Sequence, residues 1–344
     1  MEKGEKMSVV AVMGAGSWGT TFALIAADAG ATVRLYARDP KRAATIATSR
    51  INSAYLPGIT IPETITVTAK PEEALDGADI VVVAIPSIGL DSQLAAWGSL
   101  LPEDATVVSL SKGADPVSQR FGSTVIVNTL AIDPSRVVVV SGPNLAHECA
   151  LRLPAATVAA ASDLARAEQV QRSIMSPYFR VYTNPDVIGV EVAGAVKNVI
   201  AIAAGAAYGL GFGENTMAAV VTRGLAEMTR LGVALGGDVL TFAGLAGVGD
   251  LLATCTSDHS RNRQVGVRLG RGEQIDHIVA SMQMVAEGVR SSQAILQLAH
   301  THQVDMPITE GVVAVCHDSA DVRDIVRALL SRDAKPETYG LGAR

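Results

Sequence analysis

Lys197 lies in the run Glu191-Val-Ala-Gly-Ala-Val-Lys-Asn-Val-Ile-Ala-Ile-Ala-Ala-Gly205, where an ammonium has little natural place. Burying such a charge is costly unless it is paired or gives up its proton. In a helix its neighbours on the same face are Ala193, Gly194, Ala201, Ala204 and Gly205, so the face is nearly bare of side chains. A ligand or another backbone could lie against it. A desolvated lysine of lowered pKa is a competent general base near neutral pH. The alternatives are a lysine reaching out to solvent or an ion pair with Glu191.

Other polar residues raise the same question. Asn198 is embedded in the same apolar run and needs a hydrogen-bond partner. Asp250 lies in Leu245-Ala-Gly-Val-Gly-Asp-Leu-Leu252 with no neighbouring counter-charge. It could orient Lys197 or simply cap the helix that starts after Gly249. Thr254, one turn on, could share its face. Ser260-Arg261-Asn262-Arg263 groups the donors suited to a phosphate, although a basic loop can equally be solvated.

Gly14-Ala-Gly16-Ser17-Trp18-Gly19 follows a β-branched run and precedes a helix-forming one. In that setting Gly14 permits the tight turn, Gly16 lets a pyrophosphate approach, and Gly19 allows close helix–strand packing. The free N–H groups of the helix N-terminus then meet the phosphates. The expected ligand is NAD or NADP. Ala37 and Arg38 stand where an NAD site usually has an acid, and Arg38 could meet a 2′-phosphate or remain a surface arginine. Asp39 before Pro40 reads as a helix cap.

Further strand ends bring Pro86-Ser87, Ser111-Lys112-Gly113 and Ser141-Gly142-Pro143-Asn144 to the carboxyl edge of the sheet, where open α/β sheets bind ligands. Lys112 is expected to point into that crevice, towards the nicotinamide and an anionic substrate. No metal is expected, because His300 and His302 are spaced for neither one helix face nor a zinc site. No G-x-S-x-G, Cys/His nucleophile or Walker A pattern is present.

The elements that must position these residues follow from composition and periodicity. With 344 residues, 49% hydrophobic and only 4% aromatic, the chain suits two domains with aliphatic cores. Candidate strands at Val9–Met13, Thr32–Tyr36, Ile80–Ala84, Thr106–Leu110 and Val137–Val140 alternate with crossover helices. Ala156–Ala160 and Phe179–Thr183 extend the sheet around a helix capped at Ser162 or Asp163. Beyond Asn184-Pro185-Asp186 strand signals nearly vanish. The expected fold is an α/β N-terminal Rossmann domain, doubly wound around a mostly parallel sheet, over residues 8–186. An all-α C-terminal domain follows over residues 187–335.

A net charge of −6 without a basic run argues against a nucleic-acid surface. The widely spaced Cys149, Cys255 and Cys316 suit a reducing compartment, and Met1–Ser8 carries no apolar segment, so a cytoplasmic setting is expected. Asn198–Gly213 reads as too short and glycine-rich to span a membrane.

Together GAGSWGT (Gly14–Thr20), SKG (Ser111–Gly113), SGPNLAHE (Ser141–Glu148), EVAGAVKNVIAIAAG (Glu191–Gly205), LAGVGDLLATCTS (Leu245–Ser257) and SRNR (Ser260–Arg263) resemble bacterial NAD(P)-dependent glycerol-3-phosphate dehydrogenases. The resemblance runs from about Val9 to about Arg332. It implies that Lys197 accepts the proton of the substrate C2 hydroxyl. Lys112, Gly142, Asn144, Asp250, Ser260, Arg261 and Asn262 would surround glycerol 3-phosphate, with Asn198 and Thr254 at further matching positions. Ser17, Trp18, Arg38, Lys112, Ala146, Arg261, Val285 and Glu287 would touch the dinucleotide. A homodimer and a role in supplying glycerol 3-phosphate to phospholipid synthesis are also implied. The family commonly has Thr-Phe or Ser-Phe after the SGP tripeptide, where this chain has Asn144-Leu145. The rival readings are another Rossmann-plus-helical dehydrogenase, of the 3-hydroxyacyl-CoA or 6-phosphogluconate type, and a non-catalytic dinucleotide sensor.

Overall fold

The computed structural model describes residues 7–282 and 286–337. It divides into two compact units, Met1–Ser111 with Gly122–Val187, and Lys112–Phe121 with Ile188–Arg344. The segment Lys112–Phe121, placed by the sequence reading within the N-terminal domain, thus goes with the second unit.

The strands of the first unit are β1 (Val9–Met13), β2 (Thr32–Tyr36), β3 (Ile51–Asn52), β4 (Leu56–Thr60), β5 (Ile65–Thr68), β6 (Ile80–Val83), β7 (Thr106–Ser109), β8 (Val137–Ser141), β9 (Ala155–Ala160) and β10 (Phe179–Asn184). Eight of them form a sheet in the order β10-β9-β8-β7-β6-β1-β2-β5. Every neighbouring pair is parallel except β8 with β9. The central strands are continuous runs of β-branched residues, because helices cover both faces.

These helices are α1 (Ser17–Asp28), α2 (Pro40–Ser49), α3 (Pro71–Leu75), α4 (Leu90–Trp97), α5 (Gly122–Leu130), α6 (Ala146–Ala150) and α7 (Leu164–Ile174). On one face Val10, Val12 and Val82 pack with Phe22, Ile25 and Val170; on the other, Ala11, Met13 and Val83 pack with Leu94, Trp97 and Ile126. Asp39 caps α2 as its sequence context predicts, and of the two candidates Ser162 and Asp163 it is Asp163 that caps α7. Sequence reasoning missed β5 and the β3–β4 hairpin. β5 is an edge strand, and its apolar signal comes from alternate residues only.

The second unit is built on helices α8 (Val187–Gly209), α9 (Glu214–Ala234), α10 (Val239–Phe242), α11 (Asp250–Thr256), α12 (Arg261–Gly270), α13 (Ile275–Ser281), α14 (Glu287–Thr301), α15 (Pro307–His317) and α16 (Val322–Leu330). α8 is apolar on all sides and is the core helix, as such a pattern requires. By length and composition α8 and the stretch Val239–Thr256 could each cross a membrane, but the apolar window of α8 is 83% buried within the protein.

Small residues let other helices approach α8 closely. A Cβ on Gly205 or Gly209 would meet the backbone of Arg263 or Val267 in α12, and one on Gly266 would meet the backbone of Ile202 and Ala206. The bare face read around Lys197 is therefore filled, at Gly205, by another backbone. Gly205→Ala drives a methyl into the Arg263 carbonyl, which has no rotamer by which to yield. It should destabilise the protein by about 1–3 kcal/mol. The fall in Tm should be about 2–4 °C per kcal/mol. Calorimetry checks this, and an unchanged Tm would show that α12 shifts freely.

Candidate active site

The glycine-rich turn is formed as its residue types demand. Gly14 has φ +131°, and a Cβ there would strike the Ala84 carbonyl oxygen. Gly19 packs on the Gly14 carbonyl, with the Ala84 Cβ 2.8 Å from where its own would stand. Above Gly16 there is nothing within 4 Å, so a ligand backbone can come close. The first turn of α1 has neither an acidic residue nor a side-chain cap. These features fit a dinucleotide pyrophosphate.

Ser17 Oγ donates to the Tyr55 carbonyl at 2.6 Å, and Trp18 stands edge-on to Phe22 with its Nε1 buried and without a partner. The Asn52 amide, which sequence reasoning missed, donates to Ala15 O at 3.0 Å and Thr20 Oγ1 at 2.8 Å and so fixes the turn from the β3–β4 hairpin. Arg38 is exposed just past the end of β2.

At the end of β8, Gly142 has φ +155°, and a Cβ would stand 2.9 Å from Thr157 Cα. Asn144 Nδ2 donates to Ala156 O at 2.9 Å, which leaves its buried Oδ1 without a partner. Ala146 opens α6, and its carbonyl accepts from Thr21 Oγ1.

The helical unit gathers most of the other predicted residues around one carboxylate. A wide π-type turn over Leu245–Gly249, with Gly247 at ψ −105°, delivers Asp250 to the start of α11. Asp250 is 2% exposed and Lys197 5%. Lys197 Nζ donates to Asp250 Oδ1 at 2.6 Å and to Thr254 Oγ1 at 2.9 Å. Lys112 Nζ donates to Asp250 Oδ2 at 2.8 Å. The partner of Lys197 is thus Asp250, the contact that one of the two sequence readings of Asp250 requires.

Burial pushes Lys197 down to about 8, against the pull of Asp250, and the Lys112 charge lowers it further. Burial alone would raise Asp250, but the two lysines and their hydrogen bonds outweigh it, and its carboxyl lies below the usual range.

A chain of amides continues from the cluster. Asn198 Nδ2 donates to Lys112 O at 2.8 Å, Asn262 Nδ2 to Asn198 Oδ1 at 2.9 Å, and Gly288 N to Asn262 Oδ1 at 2.9 Å. Ser260 Oγ caps α12 by accepting from Arg263 N. Arg263 itself pairs with Asp258 and stacks on Tyr208, so the four-residue anion cluster loses one cation to structure. Arg261 is half-buried; burial lowers its pKa and the Glu287 carboxylate partly offsets this. Val285 lies outside the described residues. Sequence reasoning did not single out Gly288, whose backbone N–H holds Asn262 and which no side-chain pattern marks.

A cavity of about 420 Å³ elsewhere in this unit, lined in part by Val220, Glu227, Ile308 and Leu329, contains none of these groups. Its buried Glu227 accepts from Ile308 N, Thr309 N and Thr309 Oγ1 at the start of α15, and burial pushes it up to about 7.

A Rossmann unit with an intact phosphate turn, followed by a helical unit holding a dry lysine on a carboxylate, defines a nicotinamide-dependent dehydrogenase. Family models narrow this: the NAD-dependent glycerol-3-phosphate dehydrogenase N-terminus matches residues 9–167 and the C-terminus of the same family residues 186–327. The chain belongs to this family. It is 53% identical over 332 residues to the glycerol-3-phosphate dehydrogenase [NAD(P)+] of Corynebacterium glutamicum strain R, covering 96% of this chain and 100% of that protein. The Mycobacterium leprae enzyme of the same name is 51% identical over 340 residues, covering 96% and 97%. The crystal structure of glycerol-3-phosphate dehydrogenase from Coxiella burnetii matches with a TM-score of 0.90 at 34% identity, covering 95% of this chain and 99% of that one. These matches set aside the 3-hydroxyacyl-CoA and 6-phosphogluconate dehydrogenase readings.

Asp250→Asn keeps the shape and removes the shared anion. Lys197 then loses the partner that holds its pKa up, so its pKa falls below about 8. Loss of one member of a buried ion cluster should cost roughly 3–5 kcal/mol at neutral pH. Part of that is regained as pH rises towards the ordinary lysine value of 10.5, because over that range the unfolded chain binds a proton that the folded one does not. Denaturant unfolding across this range checks the sign; stability that falls with rising pH would refute it.

Proposed function

We propose that the chain interconverts sn-glycerol 3-phosphate and dihydroxyacetone phosphate, with Lys197 as the proton acceptor and donor. The observation carrying this reading is the buried Lys197, bonded to Asp250 at 2.6 Å in a chain of this family. When bound, NAD(P) supplies the hydride acceptor and donor at its nicotinamide C4.

In oxidation, neutral Lys197 takes the proton of the C2 hydroxyl as the C2 hydrogen leaves with its electron pair, and the C2 carbonyl forms. In reduction, protonated Lys197 returns that proton to the developing alkoxide. Asp250 keeps Nζ aimed, and the second lysine on the same carboxylate, Lys112, offers a positive charge to the oxygen that becomes anionic. The Arg261 guanidinium is suited to hold the substrate phosphate, with the second N–H of the Asn262 amide and the Ser260 hydroxyl beside it. Gly142 and Asn144 contribute from the end of β8. Gly14, Gly16, Ser17, Trp18, Gly19, Arg38, Ala146, Val285 and Glu287 are the residues assigned to the dinucleotide.

Because Lys197 must be neutral in one direction and charged in the other, kcat/KM for oxidation should rise with pH through about 8, and that for reduction should fall through the same region. Lys197→Ala should lower turnover on the order of 10²–10⁴-fold. Dinucleotide affinity should change little. Oxidation of NADH or NADPH by dihydroxyacetone phosphate, followed by absorbance, tests both statements. Absence of turnover in the parent would favour a dinucleotide sensor, and unchanged turnover in the variant would remove Lys197 from the base role.

The same reading places the chain in the cytoplasm, where its three free cysteines stay reduced and its product feeds glycerophospholipid synthesis. It also takes the chain to be a homodimer, for which sedimentation velocity should return twice the 35.6 kDa chain mass. A monomer at that mass would contradict it.

A further inference from the structure

Lys112 reaches Asp250 from an irregular segment, Lys112–Phe121, with no helix or ladder of its own. Residues 115–120 fold back on themselves: Asp115 Oδ1 accepts from Val117 N and Ser118 N, Asp115 N donates to Arg120 O, and a bridge pairs Ala114 with Phe121. That turn shapes the tip of the segment.

Two side chains tie the other end down. Asn198 Nδ2 donates to Lys112 O, as described. Ser291, on α14 and fully buried, accepts from Ala114 N at 3.2 Å and donates to Ala114 O at 3.3 Å. A hydroxyl has one proton and two lone pairs, so a single serine can serve both backbone groups of one residue. Ala114 is itself 0% exposed, which makes loss of these bonds expensive. Ser291 lies one helical turn after Gly288, whose N–H holds Asn262, so the start of α14 fixes two parts of the site at once.

We propose that Ser291 is a positioning residue for the reaction: by seating the backbone of Ala114 it holds the Lys112 ammonium on Asp250. The inference rests on the function proposed above. On this proposal Ser291 acts through Lys112 rather than by touching substrate or cofactor.

Seating Lys112 matters in two ways. Its ammonium shares Asp250 with Lys197, and its charge depresses the basicity of Lys197. The other groups bearing on Lys197 are Asp250 and Cys255 from α11. Arg263 of α12 bears on Cys255 and is paired with Asp258. With Lys112 displaced, Asp250 serves Lys197 alone and the repelling charge withdraws. Both changes raise the pKa of Lys197.

The test is the pH dependence of kcat/KM for glycerol 3-phosphate oxidation in the full-length protein. Ser291→Ala should move the acid-side limb to higher pH and lower kcat/KM on the order of 10- to 100-fold. Ser291→Thr, which keeps the hydroxyl, should restore the limb towards the parent. Lys112→Met should shift it in the same direction and further. Ser292→Ala is the control, since its hydroxyl bonds Val289 O and His317 and not the Lys112 segment. If Ser291→Ala melts below the assay temperature, Ser291→Cys, similar in size and a poor donor, carries the same test. A limb unmoved in a folded Ser291 variant overturns the inference, whether activity is kept or lost. A parent with no activity towards either substrate overturns the proposed function instead.

Discussion

Asp250 accepts from Lys197 on one carboxylate oxygen and from Lys112 on the other, with all three groups largely out of water. Burial disfavours the charged form of Lys197 and the Lys112 charge adds to that, while Asp250 opposes both. Lys112 keeps 14% side-chain exposure, against 7% for Lys197. Water therefore reaches Lys112 more than Lys197, and burial is the largest cause of the lowered pKa of Lys197. Unequal burial about a shared anion thus distinguishes the two lysines.

Such a cluster needs a scaffold that does not relax around it. A lysine can swing out of an unfavourable pocket on four flexible bonds, unless the surrounding helices leave no path. α8 is buried from Gly189 to Ile202, and its glycines bring α12 into backbone contact. Thr254 adds a third restraint: its hydroxyl donates to Asp250 O within α11 while accepting from Lys197. The π-type turn before α11 is what lets an acid that follows four apolar or small residues face inward, since a continuous helix through Gly247 would present it differently.

The parts legible in the sequence were those where a residue type contradicts its neighbours. Lys197, Asn198 and Asp250 are polar in apolar runs, and such contradictions point to function or to a partner. The glycine turn was legible because each glycine answers a separate steric demand, and Gly14, Gly16 and Gly19 each meet theirs. The sequence offered Asp250 as a possible partner of Lys197 but not the route: it is 53 residues away and follows a backbone kink that no periodicity announces. For the Ser260–Arg263 cluster the sequence left anion binding and a solvated loop both open, and it does not show that Tyr208 lies beneath Arg263 and Asp258 beside it. The β3–β4 hairpin was lost because two paired residues carry no periodicity, yet its Asn52 secures the phosphate turn.

Lys112 itself shows where strand-by-strand reading stops. It follows β7, and a residue just past a parallel strand is ordinarily credited to the crevice of its own sheet. Its carbonyl and ammonium instead bond to Asn198 and Asp250, and Phe121 at the far end of the segment packs into the apolar core of the helical unit. The crossover between β7 and α5 therefore lends ten residues to the second unit before returning to the first. The cost of ordering such a segment is met by buried apolar contact at Phe121 and by side-chain bonds to its backbone. Only then is an ammonium on an irregular loop fixed well enough to share a carboxylate with one on a rigid helix.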